Sequence, residues 1–152
     1  MAQQLHETME RPKRALLISL DKKSVHGDSD SGGFTAEDSA RELQGLAETL
    51  EMEIAGHETV KVRDRQPRFG MGSGKAGELA ELAERLEADC LVFDWDPSPS
   101  QQRNWEDLAG IPVLDRQELI IQIFAKRAAT KEADLQVQLA ELHYRLPRMA
   151  HK

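Results

Sequence analysis

Four short apolar runs, each separated from the next by a segment with helical periodicity, constrain the fold of this chain most strongly. The first, third and fourth cover residues 15–20, 90–93 and 111–114, and the second, over 52–62, alternates loosely between apolar and polar residues. Strands that alternate with helices in this way are joined by right-handed crossovers into a parallel sheet with helices on both faces. The pattern therefore predicts an α/β fold, with a four-stranded parallel sheet in a three-layer α/β/α arrangement.

Capping residues predict where the helices between these strands begin. Thr35, with an acidic residue three positions later, and Ser98, with Gln101, both fit the capping box. Pro99 at the first helical position supports the second of these starts. Asp115 is predicted to cap the helix that follows the last strand.

The C-terminal part of the chain has a different pattern from the rest. Leu135, Leu139, Leu142 and Leu146 form a stripe at helical spacing. A helix of about fifteen residues is marginal in isolation, so this stripe needs an apolar surface to cover it. We therefore expect an α/β domain over 13–115, an amphipathic helical extension forming a subdomain over 116–149, and a flexible tail over 1–12. A homodimer through the stripe is one predicted way to cover it.

Charge and cysteine content exclude several classes of protein. The net charge of −7 argues against a nonspecific nucleic-acid binder, which usually has a basic surface. Basic residues still cluster over 61–75 and in the last helices, which permits local phosphate contacts. Cys90 is the only cysteine and is predicted to be a buried structural residue, and the scattered histidines form no zinc spacing with it. No metal site is expected.

Hydropathy predicts a location away from membranes. No run approaches the ~18 apolar residues that a spanning helix needs. The N-terminus has no apolar signal core, so we expect a cytoplasmic protein.

The glycine-rich segment from Gly72 to Gly77 imitates two nucleotide-binding motifs. It fits G-x-G-x-x-G, but a dinucleotide fingerprint directly follows a buried strand, and polar residues precede this one. A Walker A loop needs a hydroxyl after its lysine, where this chain has Ala76 after Lys75. Two interpretations stay open: a plain helix start, or an anion site in which Gly72, Gly74 and Lys75 contact the phosphate of RNA or a nucleotide.

The turn at Ser98 is a second candidate site. Its following polar residues sit in the first turns of a helix at the carboxyl end of a strand, the edge where open α/β sheets bind ligands. The alternative is that they only cap the helix and face solvent. Asp94 and Asp96, which flank Trp95, are interpreted as loop polarity. The polar residues of the turn are Gln101, Gln102, Arg103 and Asn104.

Two stretches resemble the N-terminal domain of the HflX family of ribosome-associated GTPases. They are Ser-Pro-Ser-Gln-Gln-Arg-Asn over 98–104, and the helical sequence over 112–149, which includes an Asp-Arg pair at 115–116 and Leu-Pro-Arg at 146–148. The Gly-x-Gly-Lys helix start at 72–75 is also similar. Pro97 and Trp105 stand where the family commonly has leucine. In that family a glycine-rich loop, a second long helix and a GTPase domain follow, and this sequence does not contain them.

The resemblance implies a module that docks on the large ribosomal subunit through rRNA and has no GTPase site of its own. Residues 116–149 would then be a truncated helical hairpin. No enzymatic activity and no cofactor are expected for this chain, because GTP and Mg²⁺ belong to the missing domain of the resembled family. Alternatives are an ATP- or GTP-binding domain that uses the Gly72–Gly77 loop, and a self-associating regulatory scaffold. The residues expected to contact RNA or phosphate are Gly72, Gly74, Lys75, Ser98, Gln101, Gln102, Arg103, Asn104, Arg116, Arg127 and Arg148.

Overall fold

The computed structural model describes residues 13–22, 35–64 and 66–149. The predicted tail over 1–12 lies outside these residues. Strands and helices alternate along the chain as predicted, and a fifth helix follows at the end. In chain order they are β1 (Arg14–Lys22), α1 (Ala36–Thr49), β2 (Glu53–Val62), α2 (Ser73–Arg85), β3 (Cys90–Phe93), α3 (Pro99–Ala109), β4 (Val113–Asp115), α4 (Arg116–Arg127) and α5 (Lys131–Met149).

The four strands form one parallel sheet in the order β2-β1-β3-β4. Leu16 of β1 lies opposite Leu91 of β3, and Val92 of β3 lies opposite Leu114 of β4. The order reverses direction between β1 and β3, because the chain first adds β2 on one side of β1 and then β3 on the other. The prediction of a four-stranded parallel sheet is confirmed.

Apolar residues on both faces of the sheet explain the three layers. Leu16 and Ile18 of β1 pack with α2 and α3, where Trp105 is fully buried. The alternate residues of β1 pack with α1 and α4 on the other face, where Leu43 and Leu119 are fully buried. Helix α4 thus belongs to the layer beside α1. The division into a 13–115 domain and a 116–149 subdomain stays a prediction, and Leu119 ties the first part of the second segment to the sheet.

The predicted caps form as the sequence indicates, with small shifts at the element ends. Thr35 and Ser98 each complete a capping box, and the Asp115 carboxylate accepts from the Glu118 N–H at 2.9 Å. The last strand begins at Val113 rather than at residue 111. Helix α3 ends at Gly110, whose φ of 72° lies in the left-handed region that favours glycine.

Helix α5 packs against α4 and buries Tyr144. The four leucines of the stripe are 53–60% exposed, so α4 does not cover them. None of the helices in the described part of the chain combines the length and the apolar character that a membrane crossing requires.

Candidate nucleic-acid interface

Asp94 lies directly after β3, at the point where the strand order reverses. Its side chain is only 5% exposed. The Asp94 carboxylate accepts hydrogen bonds from the Ser39 hydroxyl at 2.7 Å and from the Ser19 hydroxyl at 3.4 Å. The interpretation of Asp94 as loop polarity was wrong, because the residue joins β1, α1 and the end of β3.

Arg116, one of the predicted RNA contacts, points into the same cluster. Its Nε donates to Asp94 Oδ1 at 3.1 Å, and its Nη2 also donates to that oxygen and to the Ser39 carbonyl. Its Nη1 donates to Glu42 Oε1 at 2.7 Å. We call Ser19, Ser39, Asp94 and Arg116 the Asp94 cluster. The guanidinium joins α1 to α4. The cluster lies at the crevice where open α/β sheets bind ligands, and Asp94 and Arg116 line a cavity of about 660 Å³ there.

His57 extends the Asp94 cluster to the edge strand β2. Its Nε2 lies 2.9 Å from the Ser19 hydroxyl. Burial lowers the pKa of His57, and the negative charge of Asp94 opposes that shift. The imidazole is therefore neutral at pH 7 and hydrogen-bonds to Ser19 as an uncharged group.

Arg148, another predicted RNA contact, holds the end of α5 against the sheet. Its Nε donates to Gln102 Oε1 at 2.7 Å, and its Nη2 lies 3.4 Å from Asp115 Oδ2. Its guanidinium carbon lies 3.6 Å from the centre of the Tyr144 ring. We call Gln102, Asp115, Tyr144 and Arg148 the Arg148 cluster. Burial raises the pKa of Asp115, whereas the Glu118 N–H, the Tyr144 hydroxyl and Arg148 oppose the shift.

The polar residues of the Ser98 turn support the loop that precedes α2. Gln101 donates to the Pro67 carbonyl at 3.3 Å, and Asn104 donates to the Arg68 carbonyl at 2.9 Å. Trp105 donates to the Phe69 carbonyl at 2.8 Å from inside the core. Arg103 is half-buried. These contacts hold the loop over 66–69, which leads directly into the glycine-rich helix start.

The glycine-rich start of α2 is open to solvent. Gly72 is the N-cap and provides no side-chain cap, so the first N–H groups of the helix lack that partner. A Cβ added at Gly72 or Gly74 would meet no atom within 4 Å, and neither residue has a positive φ. The fold therefore does not require glycine at either position. Glycine does allow another molecule to approach the backbone closely.

Basic side chains surround this helix start. The Lys75 side chain is 43% exposed, and its Nζ lies 3.5 Å from a Glu78 carboxylate oxygen. Lys75 lines a cleft of about 460 Å³ together with Lys61, the penultimate residue of β2, and Arg63, which directly follows that strand. We call this cleft the Lys75 cleft. Arg127 is exposed at the far end of α4 and lines a different cleft, between α4 and α5.

The structure leaves Arg127 apart, exposed at the far end of α4, and sorts the other predicted contact residues into three groups. Gly72, Gly74 and Lys75 lie together at an open, basic helix start. The Ser98 turn supports the loop before it. Arg116 and Arg148 are held by internal partners. Sequence reasoning placed Lys61 and Arg63 in the basic cluster over 61–75 without naming them as contacts. It missed Asp94, which directly follows a predicted strand.

Comparisons with known proteins agree with the resemblance found in the sequence. A family described as "GTP-binding GTPase N-terminal" matches residues 37–125. A protein named GTPase HflX from Akkermansia muciniphila is 45% identical over 147 residues, covering 97% of this chain and 32% of that protein. GTPase HflX from Magnetococcus marinus is 34% identical, covering 94% of this chain and 32% of that protein. The chain spans about a third of the length of these relatives.

Solved structures share the fold at lower sequence identity. The complex of SsGBP with GDP has a TM-score of 0.66 at 23% identity, covering 92% of this chain and 37% of that one. A GTP-binding protein from Sulfolobus solfataricus in complex with GDP has a TM-score of 0.62 at 24% identity, covering 90% and 38%. The shared fold agrees with the family match and the sequence relatives, which show that this chain belongs to the HflX family and carries its GTP-binding GTPase N-terminal domain.

Proposed function

We propose that this chain is a cytoplasmic binding module that docks on the large ribosomal subunit by contacting rRNA, without a GTPase site of its own. The observation that carries the proposal is the open start of α2, where the first N–H groups have no side-chain cap, Gly72 and Lys75 line one cleft, and Gly74 is open to solvent. The resemblance to ribosome-associated GTPases supplies the partner.

The chemistry of this helix start suits an RNA phosphate. The N-terminus of a helix carries partial positive charge and points its N–H groups at an approaching anion. Lys61, Arg63 and Lys75 add three full positive charges around the same cleft, against one negative charge from Asp64. Because the whole chain has a net charge of −7, phosphate binding is favoured only where such residues cluster. We therefore expect one local contact rather than general affinity for nucleic acid.

Two observations argue against a nucleotide-hydrolysing site in this chain. Ala76 follows Lys75, so the loop lacks the hydroxyl with which a Walker A motif binds Mg²⁺. The cavity of about 660 Å³ beside the ends of β3 and β4, at the edge where doubly wound folds bind nucleotides, is lined by Asp94, Asp96 and Asp115, and these carboxylates disfavour a phosphate group. We propose that GTP and Mg²⁺ act in a part of the relatives beyond the third that this chain matches.

Co-sedimentation with separated ribosomal subunits across a salt series tests this proposal. Phosphate contacts release counterions, so binding to the large subunit should weaken as salt rises. Lys75→Ala should weaken binding and lower the slope of log affinity against log salt by about 1. Lys126→Ala is the matched control, because Lys126 is an exposed lysine that pairs only weakly with Glu51 at 3.5 Å. Equal loss in both variants, or no binding at low salt, would contradict the proposal.

The Lys75 cleft also supports a second candidate, a nucleotide-binding domain. Its volume of about 460 Å³ lies in the ordinary range of small-ligand sites. Isothermal titration with ATP and with GTP, each with Mg²⁺ at millimolar concentration, separates the two candidates. Binding that Lys75→Ala abolishes would favour the nucleotide. Absence of heat at two well-separated temperatures would exclude it, because the enthalpy of binding changes with temperature, and would leave the RNA proposal in place.

A further inference from the structure

Three successive carbonyl groups of the loop before α2 accept hydrogen bonds from side chains of one helix. Gln101, Asn104 and Trp105 of α3 donate to the carbonyls of residues 67, 68 and 69, at 3.3, 2.9 and 2.8 Å respectively. The donors stand at positions i, i+3 and i+4, which lie on the same face of a helix. One face of α3 therefore holds three consecutive peptide groups of the loop.

The same loop is fixed at Gly70 as well. The Gly70 N–H donates to the Gln66 carbonyl at 2.9 Å, and the φ of Gly70, 78°, lies in the left-handed region. A Cβ at this position would lie 3.4 Å from the indole nitrogen of Trp95, so glycine permits this close approach. Phe69 and Met71, on either side of Gly70, are buried in the core. The path of the backbone is therefore fixed directly before α2.

We infer that Gln101, Asn104 and Trp105 are positioning residues for RNA binding, which act through this loop on the glycine-rich start of α2. The inference rests on the proposed function, because it concerns the orientation of the same RNA contact. Only residues 70 and 71 separate the last held carbonyl, at residue 69, from the N-cap of α2. A backbone that is already held in its binding conformation loses less entropy on binding, so affinity rises without any new contact.

Burial and hydrogen bonding indicate that these side chains do not contact RNA themselves. Trp105 is fully buried, so it has no surface to offer another molecule. The Gln101 amide is used at both ends, because its Nε2 donates to the loop and its Oε1 accepts from the Ser98 N–H at 3.1 Å. The Asn104 amide directs its Nδ2 to the loop as well. The Ser98 turn would thus contribute to binding through the backbone that it supports.

Affinity for the large ribosomal subunit, measured by co-sedimentation, tests the inference with two variants. Asn104→Ala and Trp105→Phe each remove one donor to the loop, so each should weaken binding about fivefold, as expected for one hydrogen bond. Trp105→Phe keeps an aromatic ring in the core, and its urea midpoint shows that it is folded under the binding conditions. Ser100→Ala is the matched control, because Ser100 is exposed in the first turn of the same helix. It should bind like the wild type.

A double-mutant cycle with Gly74→Leu separates positioning from direct contact. The leucine blocks access to the N–H groups of α2, so the further loss caused by Asn104→Ala in that background should shrink to less than about twofold. Independent contacts would instead give losses that multiply. Losses that multiply, or folded Trp105→Phe that binds like the wild type, would overturn the inference.

Hydrogen exchange of the free chain tests the loop without the ribosome. The Gly70 amide should exchange faster in Asn104→Ala than in Ser100→Ala, and unchanged exchange there would also overturn the inference. A wild-type chain that does not bind the large subunit would overturn the proposed function and this inference together. Binding that falls with Lys75→Ala but with neither Asn104→Ala nor Trp105→Phe would overturn this inference alone.

Discussion

The carboxyl end of β2 and the carboxyl ends of β3 and β4 use charged residues in opposite ways. At the end of β2, Lys61 and Arg63 line an open cleft with Lys75. At the ends of β3 and β4, Asp94 and Asp115 are nearly fully buried and are paired with arginines. The same edge of one sheet therefore carries a cleft lined by exposed basic side chains, and a set of buried carboxylates paired with arginines that borders a second cavity of about 660 Å³.

This difference between the strand ends shows that an arginine near a strand end can be an internal ion-pair partner instead of a contact for RNA. Arg116 follows a predicted strand end, Arg148 lies in the Leu-Pro-Arg segment of the last helix, and Lys75 lies in the glycine-rich helix start. All three were predicted to contact RNA. The two arginines meet buried carboxylates, and their guanidinium groups donate several hydrogen bonds at once. Planar guanidinium groups suit such internal pairing, whereas a lysine stays hydrated at the surface. The following experiments test this distinction, from the largest expected effect to the smallest.

Replacing Asp94 should have the largest effect on stability. Asp94→Ala leaves Arg116 without its buried partner and removes the acceptor of two hydroxyls, so we expect a loss of about 3 kcal/mol in the free energy of unfolding. Urea denaturation measures it. Asp96→Ala is the control, because the Asp96 side chain is 81% exposed and should unfold near the wild-type midpoint. Equal midpoints for the two variants would contradict the interpretation of Asp94 as a buried partner that stabilises the fold through Arg116.

Replacing Arg148 should release the end of α5. Arg148→Ala removes the hydrogen bond to Gln102 and the stacking on Tyr144, and we expect a loss of about 2 kcal/mol. Hydrogen exchange should show faster exchange in the last turns of α5 and unchanged exchange in β1. Arg145→Ala, an exposed arginine of the same helix, is the control. If Arg148 instead contacts rRNA, its replacement would reduce ribosome binding without altering this exchange.

Replacing Gly74 should affect binding without loss of stability. A Cβ added at 74 meets no atom within 4 Å, and a leucine there should block close approach to the N–H groups of α2, so we expect ribosome affinity to fall about tenfold, equivalent to ~1.4 kcal/mol. Gly45→Leu is the matched control, because Gly45 is also helical and also faces open space. Both variants should unfold at or slightly above the wild-type midpoint, since leucine favours helices over glycine. Unchanged binding by Gly74→Leu would remove the helix start from the interface.

The smallest expected effect concerns His57. Because its folded pKa lies below the unfolded value of 6.5, the fold binds its proton less readily than the unfolded chain does. The stability contributed by His57 is present above about pH 6.5 and is lost as the pH falls through the folded pKa. The urea midpoint should drop between pH 7.5 and 5.5 in the wild type, and less so in His57→Gln. An equal drop in both would show that His57 does not contribute.

Predictions from local pattern were the most successful. The apolar runs, the Ser98 and Thr35 caps and the end of α3 at Gly110 each depend on residues close in sequence, and the structure confirms them. The site was predicted only in part. Gly72 and Lys75 were identified from their motif, whereas Asp94 was assigned to a polar loop because its partners Ser39 and Arg116 are 55 and 22 residues away.

By itself the sequence determined the order of the strands and helices, the burial of both faces of the sheet, and the family. These features follow from hydrophobic periodicity and from motifs whose residues are neighbours along the chain. Only the tertiary structure decided which charged residues face solvent. An arginine side chain is exposed or buried according to whether a carboxylate lies close to it in the fold. Such pairs in this protein join segments that are 22 to 74 residues apart.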